Sequence, residues 1–548
     1  METNELSIDS VRLGPLPIID TFLNNLGIEK AFADFVAGDV RDKIPVCKTL
    51  SIILRNIILE RYPLYKIGEW AVQRGLVAAE KSDCINDDRI GRSLQRLFNA
   101  DRASLVTTII VNAIKTFQID FSRIHNDSTT VTFQGEYTGY PDTRAAKPKR
   151  GINKDHRPDL KQVLFSLSVA GDEAVPLYFK VWDGNITDDT THIRNWMALR
   201  TLVGTPKFTY VADSKLCVRD SLLLIHSEGG FFVTVVPETR KEISQFQEWI
   251  QDHIPAWQEA SREPNPRRKH GPPHMFWTLE SPFLSSEGFR IIWVKSSQKL
   301  RDDEERRTDR IARTEEELTD VANKKYRNRD KLEKEINAIL DHYQTRRYFH
   351  WQIGIEIEES FKQENPGRPH ADTKYRKIEK KSYRLTWSQN PETIRYDTRY
   401  DGIFPLITNR DNSAAEILKM YKFQPRLEKR HEQLKSVYNV APVFLKNPER
   451  VEAMLLLYFL ALLITALIER TVRKAMRDKK ILSIPIYPED RECKNPTADK
   501  ILALFNDLRI QYIKEADTLL KVVPDSLSKL QLQVLGLLGI KGVDFFTV

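Results

Sequence analysis

Residues 123–137 read RIHNDSTTVTFQGEY. The stretch alternates, is rich in Thr and Val, and is expected to form a strand. The residues before it follow a different period, with apolar side chains three and four apart in LPIIDTFLNNLGIEKAFADFV (16–36) and CKTLSIILRNIILERY (47–62). A sheet therefore begins near residue 120. Strands continue in LKQVLFSLSVA (160–170) and AVPLYFKVW (174–182), with GDE as the turn between them. Then come a helix, THIRNWMALRTLVG (191–204), a strand, KFTYVAD (207–213), a helix, RDSLLLIHSEG (219–229), and a buried strand, FFVTVV (231–236). Three meandering strands followed by helix-alternating strands predict a mixed α/β sheet covered by helices on both faces.

On the N-terminal side, residues 1–119 are expected to be a helical unit. DDRIGRSLQRLF (87–98) opens with the Asp87–Asp88 pair as an N-cap and continues as one helix through Ile114. Arg89, Arg92 and Arg96 share a face of that helix, which either contacts phosphates or is simply solvated. On the C-terminal side, the pattern breaks from about 238 to 400. Proline-rich loops surround one clear strand, FRIIWVKS (289–296). A charged segment, Lys299 to Tyr348, then spaces Ile311, Leu318, Leu332, Ile336, Ile339 and Leu340 for a helical hairpin. SYRLTWS and YDGIFPLITN read as strands, and everything after Asn412 as helix. The partition expected is a helical DNA-binding unit (1–119), a core in two parts (120–237 and 401–480), an insertion subdomain (238–400) and a C-terminal helical unit (481–548).

The 548 residues carry 84 Lys and Arg against 76 Asp and Glu, a net charge of +8. With 41% hydrophobic and 29% charged residues, wholesale disorder is excluded. A surplus this small fits a polyanion partner and fits plain solubility equally well. Cys47, Cys84, Cys217 and Cys493 have no zinc-type spacing, which points to a reducing, cytosolic compartment. METNELSIDSVRLG is too acidic and polar for a signal or transit peptide. The uncharged run Ala453–Ile468 falls short of the roughly 20 residues that cross a bilayer and is closed by Glu452 and Glu469, so it reads as a core helix with no membrane partner.

Three carboxylates stand out. Asp127 sits inside a strand, where acids are disfavoured, and Asp213 follows an apolar strand, at the end where ligand sites collect. Glu428 lies in YKFQPRLEKRHEQLKSVY, where Tyr421, Glu428 and Lys435 recur every seven residues and so return to one helical face with a drift of about 20° per heptad. His431 and Glu432 lie beside that face. Pro425 suits a first helical turn, which leaves Tyr421 in the lead-in. A turn residue, a cap and a charged amphipathic helix would show the same residues. Carboxylates drawn from three distant segments suit hard divalent cations. Two such ions about 4 Å apart support an in-line displacement at phosphorus, and Lys435 could position the phosphate.

At this point the sequence resembles the DDE transposases of bacterial insertion sequences, in the subgroup with a Y-(2)-R-(3)-E-(6)-K motif. Tyr421, Glu428 and Lys435 match its spacing; Gln424 stands at the Arg position and Arg426 two residues later, which leaves the Arg role open. GINKDHRPDLKQVLFSLSV, WDGNITDDTT and APVFLKNPERVEAMLLLYFLALLITALIER are also similar to family segments. The resemblance runs from about Asn86 to the C-terminus. It implies an RNase H-like fold interrupted by a large insertion between the last strand and the Glu-bearing helix. Asp127, Asp213 and Glu428 would be catalytic and would hold two Mg²⁺ or Mn²⁺ ions. Tyr421, Lys435, Arg426 and His431 would contact DNA near them, and Arg89, Arg92 and Arg96 would contact it from the N-terminal unit. The implied partners are double-stranded DNA, as transposon ends and target, and a second copy of the chain in the synaptic complex, in a bacterial cytoplasm. Trp277, Trp293, Trp351 and Trp387 are candidates for stacking on a flipped base. An RNase H-like nuclease without strand transfer and a domesticated DNA-binding protein are the alternatives.

Overall fold

The computed structural model describes residues 6–133, 137, 143–151, 157, 159–264, 271–438, 440, 445–515 and 518–546. Parts of three segments used above, within 134–142, 152–158 and 439–444, lie outside the described residues. The protein is mixed α/β and divides into two compact units. The first comprises residues 1–234, 408–410 and 419–548, the second 235–407 and 411–418.

The first unit opens with strand β1 (Leu6–Arg12), where helix was expected. Helices follow: α1 (Leu16–Leu26), α2 (Ile28–Phe35), α3 (Val46–Leu59), α4 (Ile67–Gln73), α5 (Asp87–Asn99) and α6 (Arg102–Phe117). The single helix expected through Ile114 is two. Ala100 is extended, and Asp101 caps α6 by accepting from the Ser104 N–H. The N-cap of α5 is Asn86, which accepts from the Arg89 N–H, while Asp87 and Asp88 fill the first turn and favour the helix dipole.

The sheet begins at β2 (Arg123–Phe133), then β3 (Lys161–Ala170), β4 (Pro176–Asp183), α7 (His192–Val203), β5 (Thr209–Val211), α8 (Arg219–Ser227) and β6 (Phe231–Val235). This is the element order expected from the periodicity. In space the strands lie in the order β4-β3-β2-β5-β6. β2 to β4 are antiparallel neighbours, whereas β5 runs parallel to both β2 and β6. β2 is buried along its length except at Arg123 and Asp127.

The second unit holds α9 (Lys241–Asp252), β7 (Gln258–Glu263), β8 (His274–Glu280) and β9 (Arg290–Ser296). Helices α10 (Ser297–Ala322) and α11 (Arg329–His342) form the expected hairpin, with all six of its predicted apolar residues buried. β10 (Phe349–Gln363) and β11 (Tyr375–Gln389) pair as a separate two-stranded ribbon; α12 (Pro391–Thr398) and β12 (Ile403–Thr408) follow. Arg307 and Asp401 form a buried bidentate ion pair that ties α10 to the segment before β12. Trp293 is fully buried and stacks on Phe246 with centroids 3.8 Å apart, so it is core.

The chain re-enters the first unit through α13 (Ala414–Tyr421) and continues as α14 (Gln424–Glu432) and α15 (Pro448–Asp478). By length and composition α15 could cross a membrane, contrary to the count of its uncharged run alone, yet its apolar stretch is almost wholly buried. It packs on α1, α3, α5 and β4. The acids at the ends of that run are both engaged. Glu452 accepts from Arg102 at 2.6 Å and Glu469 pairs with Arg430 at 2.9 Å.

The C-terminal region is not uniformly helical, as had been expected. It holds β13 (Ile484–Tyr487), β14 (Arg491–Cys493), α16 (Ala498–Ala503), β15 (Arg509–Glu515), β16 (Thr518–Pro524) and α17 (Lys529–Leu538). β15 pairs with both β16 and β1, joining the two ends of the chain in a three-stranded sheet. Ile510 and Ile513 fit helical spacing, and the strand partner that overrides it lies some 500 residues away, where local periodicity carries no signal.

Candidate active site

Register places the two aspartates together. In the parallel pair β2–β5, Arg123 lies opposite Thr209, Ile124 opposite Tyr210 and His125 opposite Val211. The pairing ends there, and each aspartate lies two residues beyond it, Asp127 still within β2 and Asp213 past the end of β5, so both sit at the same end of the pair. The Asp127 carboxylate accepts from the Ser128 N–H at 2.8 Å. Asp213 lies just past β5, where its Oδ1 accepts from the Lys215 N–H at 3.1 Å and its carbonyl accepts from Thr234 Oγ1 at 2.5 Å.

Each aspartate has a buried histidine behind it. His431 Nε2 is 3.7 Å from Asp127 Oδ2, and His192 Nε2 is 3.7 Å from Asp213 Oδ1. His192, at the start of α7, is fixed through its other nitrogen, 3.2 Å from the Tyr210 hydroxyl.

Glu428 arrives on α14, which docks against β2 through Gln424. Gln424 donates to the Asn126 carbonyl at 3.2 Å, and its Oε1 lies 3.2 Å from His125 Nδ1. Burial pushes His125 down to about 4, so it is neutral at pH 7 and donates to that oxygen. His125 and Asp127 are two residues apart on β2 and so share a face. His125 meets Gln424 and Phe423, and Asp127 meets His431. Glu428 itself is exposed and makes no hydrogen bond or ion pair among the described residues.

Tyr421 connects the set. It ends α13 and precedes α14, in the lead-in that Pro425 implied. Its hydroxyl is pushed up to about 12, first by burial and then by the negative charges of Asp213, Glu428 and Asp127. One phenol thus lies in the field of all three carboxylates, keeps its proton at neutral pH and can donate a hydrogen bond among them.

The other expected residues are distributed differently. Lys435 lies in a π-helical stretch, Gln433–Val437, whose wider turn breaks the heptad alignment with Glu428. Arg426 pairs with Glu173 at 3.0 Å. Arg430 donates to the carbonyls of Glu173 and Ala174, two residues of the β3–β4 turn with φ of 58° and 54°. Arg89 is buried, paired with Asp42 and the Ile44 carbonyl, and Arg96 pairs with Asp42 at 2.6 Å. Of that helical face only Arg92 is exposed.

The donor chemistry of Asp127, Asp213 and Glu428 suits a hard divalent cation. Their spacing is looser than a finished ligand set. Among the described residues no three His, Cys, Asp or Glu side chains are gathered closely enough to hold a metal.

Residues 8–111 match the model of a domain of unknown function, DUF4277. No curated protein matches the chain. Among solved structures, the chain is similar to the piggyBac transposase seen by cryo-EM in a synaptic complex with hairpin DNA. The identity is 10% and the TM-score 0.39, over 91% of this chain and 82% of that one.

Proposed function

We propose that the chain is a transposase that cleaves the ends of its own DNA element and joins them to target DNA by metal-assisted phosphoryl transfer. The observation that supports this reading is that Asp127 and Asp213 lie at the same end of the parallel β2–β5 pair, each 3.7 Å from a buried histidine, while α14, which carries Glu428, docks on β2 through Gln424. The three acids come from a strand interior, a strand end and a helix, and divalent cations would relieve their mutual repulsion. The strand order β4-β3-β2-β5-β6, with two parallel neighbours after an antiparallel meander, supports an RNase H-like core.

Asp127, Asp213 and Glu428 would hold Mg²⁺ or Mn²⁺. When bound, a pair of such ions activates the attacking water or 3′-hydroxyl and stabilises the leaving oxygen. Since the carboxylates do not form a closed set beforehand, binding includes drawing them together. His431 and His192 orient Asp127 and Asp213 from behind. The Tyr421 O–H donates a hydrogen bond to a carboxylate or a backbone phosphate. Lys435 lies further along the same segment, as a contact for the DNA backbone, whereas Arg426 is held by Glu173. Gln424, where the family motif has Arg, anchors α14 to β2.

The test is incubation of the full chain with Mg²⁺ and a duplex carrying the termini of its element, scoring nicked and joined products. Asp127→Ala, Asp213→Ala and Glu428→Ala should each abolish cleavage and leave DNA binding largely intact. Cleavage that survives any one of them would show the triad to be misassigned. Nicks without joined products would favour a nuclease over a transposase, because water and a 3′-hydroxyl attack by the same chemistry.

A further inference from the structure

The β10–β11 ribbon of the second unit is longer than its packing requires. It pairs without a break from Phe349↔Gln389 to Gln363↔Tyr375, which at about 3.4 Å per residue is a span of some 50 Å. Its inner end is core: Phe349 and Leu385 are buried against α10 and α11, with Trp351, Ile353, Tyr383 and Trp387 packed around them. Tyr326, between those helices, bridges Tyr383 through paired backbone hydrogen bonds, and Lys325 pairs with Glu358. Beyond that point both faces are open, and Phe361 and Tyr375 are 67% and 50% exposed. A long exposed ribbon with apolar side chains invites aggregation unless it has a partner.

The outer end of the ribbon carries a basic excess. Glu356 pairs with Arg384 at 3.4 Å, and where the outer part begins Glu359 and Glu379 pair with Lys377 at 2.5 and 3.2 Å. Towards the tip the excess is basic. Lys362, Arg368, Lys374 and Arg376 stand there with Glu364 and Asp372. None of those four cations has an ion-pair partner among the described residues. Moreover, Lys362 lies directly opposite Arg376 in the ladder. Like charges at a cross-strand position destabilise a hairpin, so this pair is tolerated at a cost that an anion between them would remove.

We propose that the outer ribbon, residues 359–379, is a DNA-binding arm that lies in a groove of duplex DNA and grips phosphates through Lys362, Arg368, Lys374 and Arg376. A two-stranded ribbon fits the major groove, about 12 Å wide. Exposed Phe361 and Tyr375 offer flat apolar surface for sugar and base edges beside those cations. The inference rests on the DNA-processing reading but assigns a contact that the carboxylate site does not supply.

The experiment uses the full chain carrying Asp127→Ala, so that cleavage plays no part. Binding to a fluorescent duplex is followed by anisotropy across a salt series. The Gln variant at Lys362, Arg368, Lys374 and Arg376 should bind more weakly, and its slope of log affinity against log salt should fall by about 0.9 for each phosphate that is no longer neutralised. A second variant, Phe361→Ser with Tyr375→Ser, should weaken binding with the slope unchanged; far-UV circular dichroism checks the fold of both. Equal affinity and slope in parent and Gln variant would overturn the arm while leaving the carboxylate site standing. Loss of self-association in light scattering with an unchanged slope would also overturn it, marking the ribbon as a protein contact. A parent that binds no duplex would overturn both the arm and the DNA-processing reading.

Discussion

The two units dispose of their charges differently. In the first, arginines are consumed internally: Arg89 and Arg96 on Asp42, Arg430 on Glu469, and Arg426, Arg473 and Arg477 on Glu173. Of the three candidate carboxylates in that unit, Glu428 is exposed and Asp127 and Asp213 are half-buried. In the second, Asp401 is spent on Arg307 and acids of the ribbon on Lys325, Lys377 and Arg384, while the cations of the tip have no acid partner among the described residues. A carboxylate cluster repels DNA unless cations neutralise it, and free Lys and Arg attract DNA without chemistry. On the proposed reading chemistry falls to the first unit and grip to the second, and the net +8 is uninformative because it averages over both.

The harshest way to break this comparison is to neutralise either aspartate. Asp127→Asn or Asp213→Asn should lower cleavage on the order of a thousandfold or more, with duplex affinity unchanged by anisotropy; a parallel loss of binding would mean that grip and chemistry are not separate. Removing the histidines behind the aspartates is milder. His192→Ala and His431→Ala should each cost about 10–100-fold in cleavage rate, and unaltered rates would remove both from the site.

Stability separates the internal pairs from the functional charges. Asp401→Asn leaves Arg307 buried without its carboxylate and should cost about 3 kcal/mol in urea unfolding. Glu173→Gln should cost about 2 kcal/mol, and this cost is pH-dependent. Burial acts to raise the Glu173 carboxyl, but Arg477, Arg426 and Arg473 outweigh it and hold the group below its ordinary value of 4.5. A carboxyl depressed on folding stabilises above the unfolded value and ceases to do so as acid protonates the folded state. The gap between parent and variant should therefore be full at neutral pH and close as the pH falls below about 4.5.

Much of the sheet was legible in the sequence because alternation in β2 and β3 and the apolar runs of β5 and β6 are local signals. The α10–α11 hairpin was legible for the same reason, from the spacing of Ile311 to Leu340. What the sequence hid was long-range: β1 and β15 pair across nearly the whole chain. β10 was legible but unread, since Phe349, Trp351, Ile353, Ile355 and Ile357 alternate with polar residues and Gly354. At the site, Asp127, Asp213 and Glu428 drew notice as acids in unusual places. The register that sets the aspartates at one end of the β2–β5 pair, and the roles of His192, His125 and Gln424, arise only when β2, β5, α7 and α14 meet. Pro425 placed Tyr421 in the lead-in to α14, where it lies; what the spacing of Glu428 and Lys435 could not show is the π-helical stretch Gln433–Val437 that contains Lys435.

The central claim is that Asp127, Asp213 and Glu428 form one cation site. Mn²⁺ titration of the full chain, followed by the electron paramagnetic resonance of the free ion, tests it without knowledge of any DNA sequence. The account predicts that the parent takes up Mn²⁺ and that Asp127→Asn, Asp213→Asn and Glu428→Gln each weaken uptake, the two aspartate variants most. Identical uptake by the parent and all three variants would contradict it.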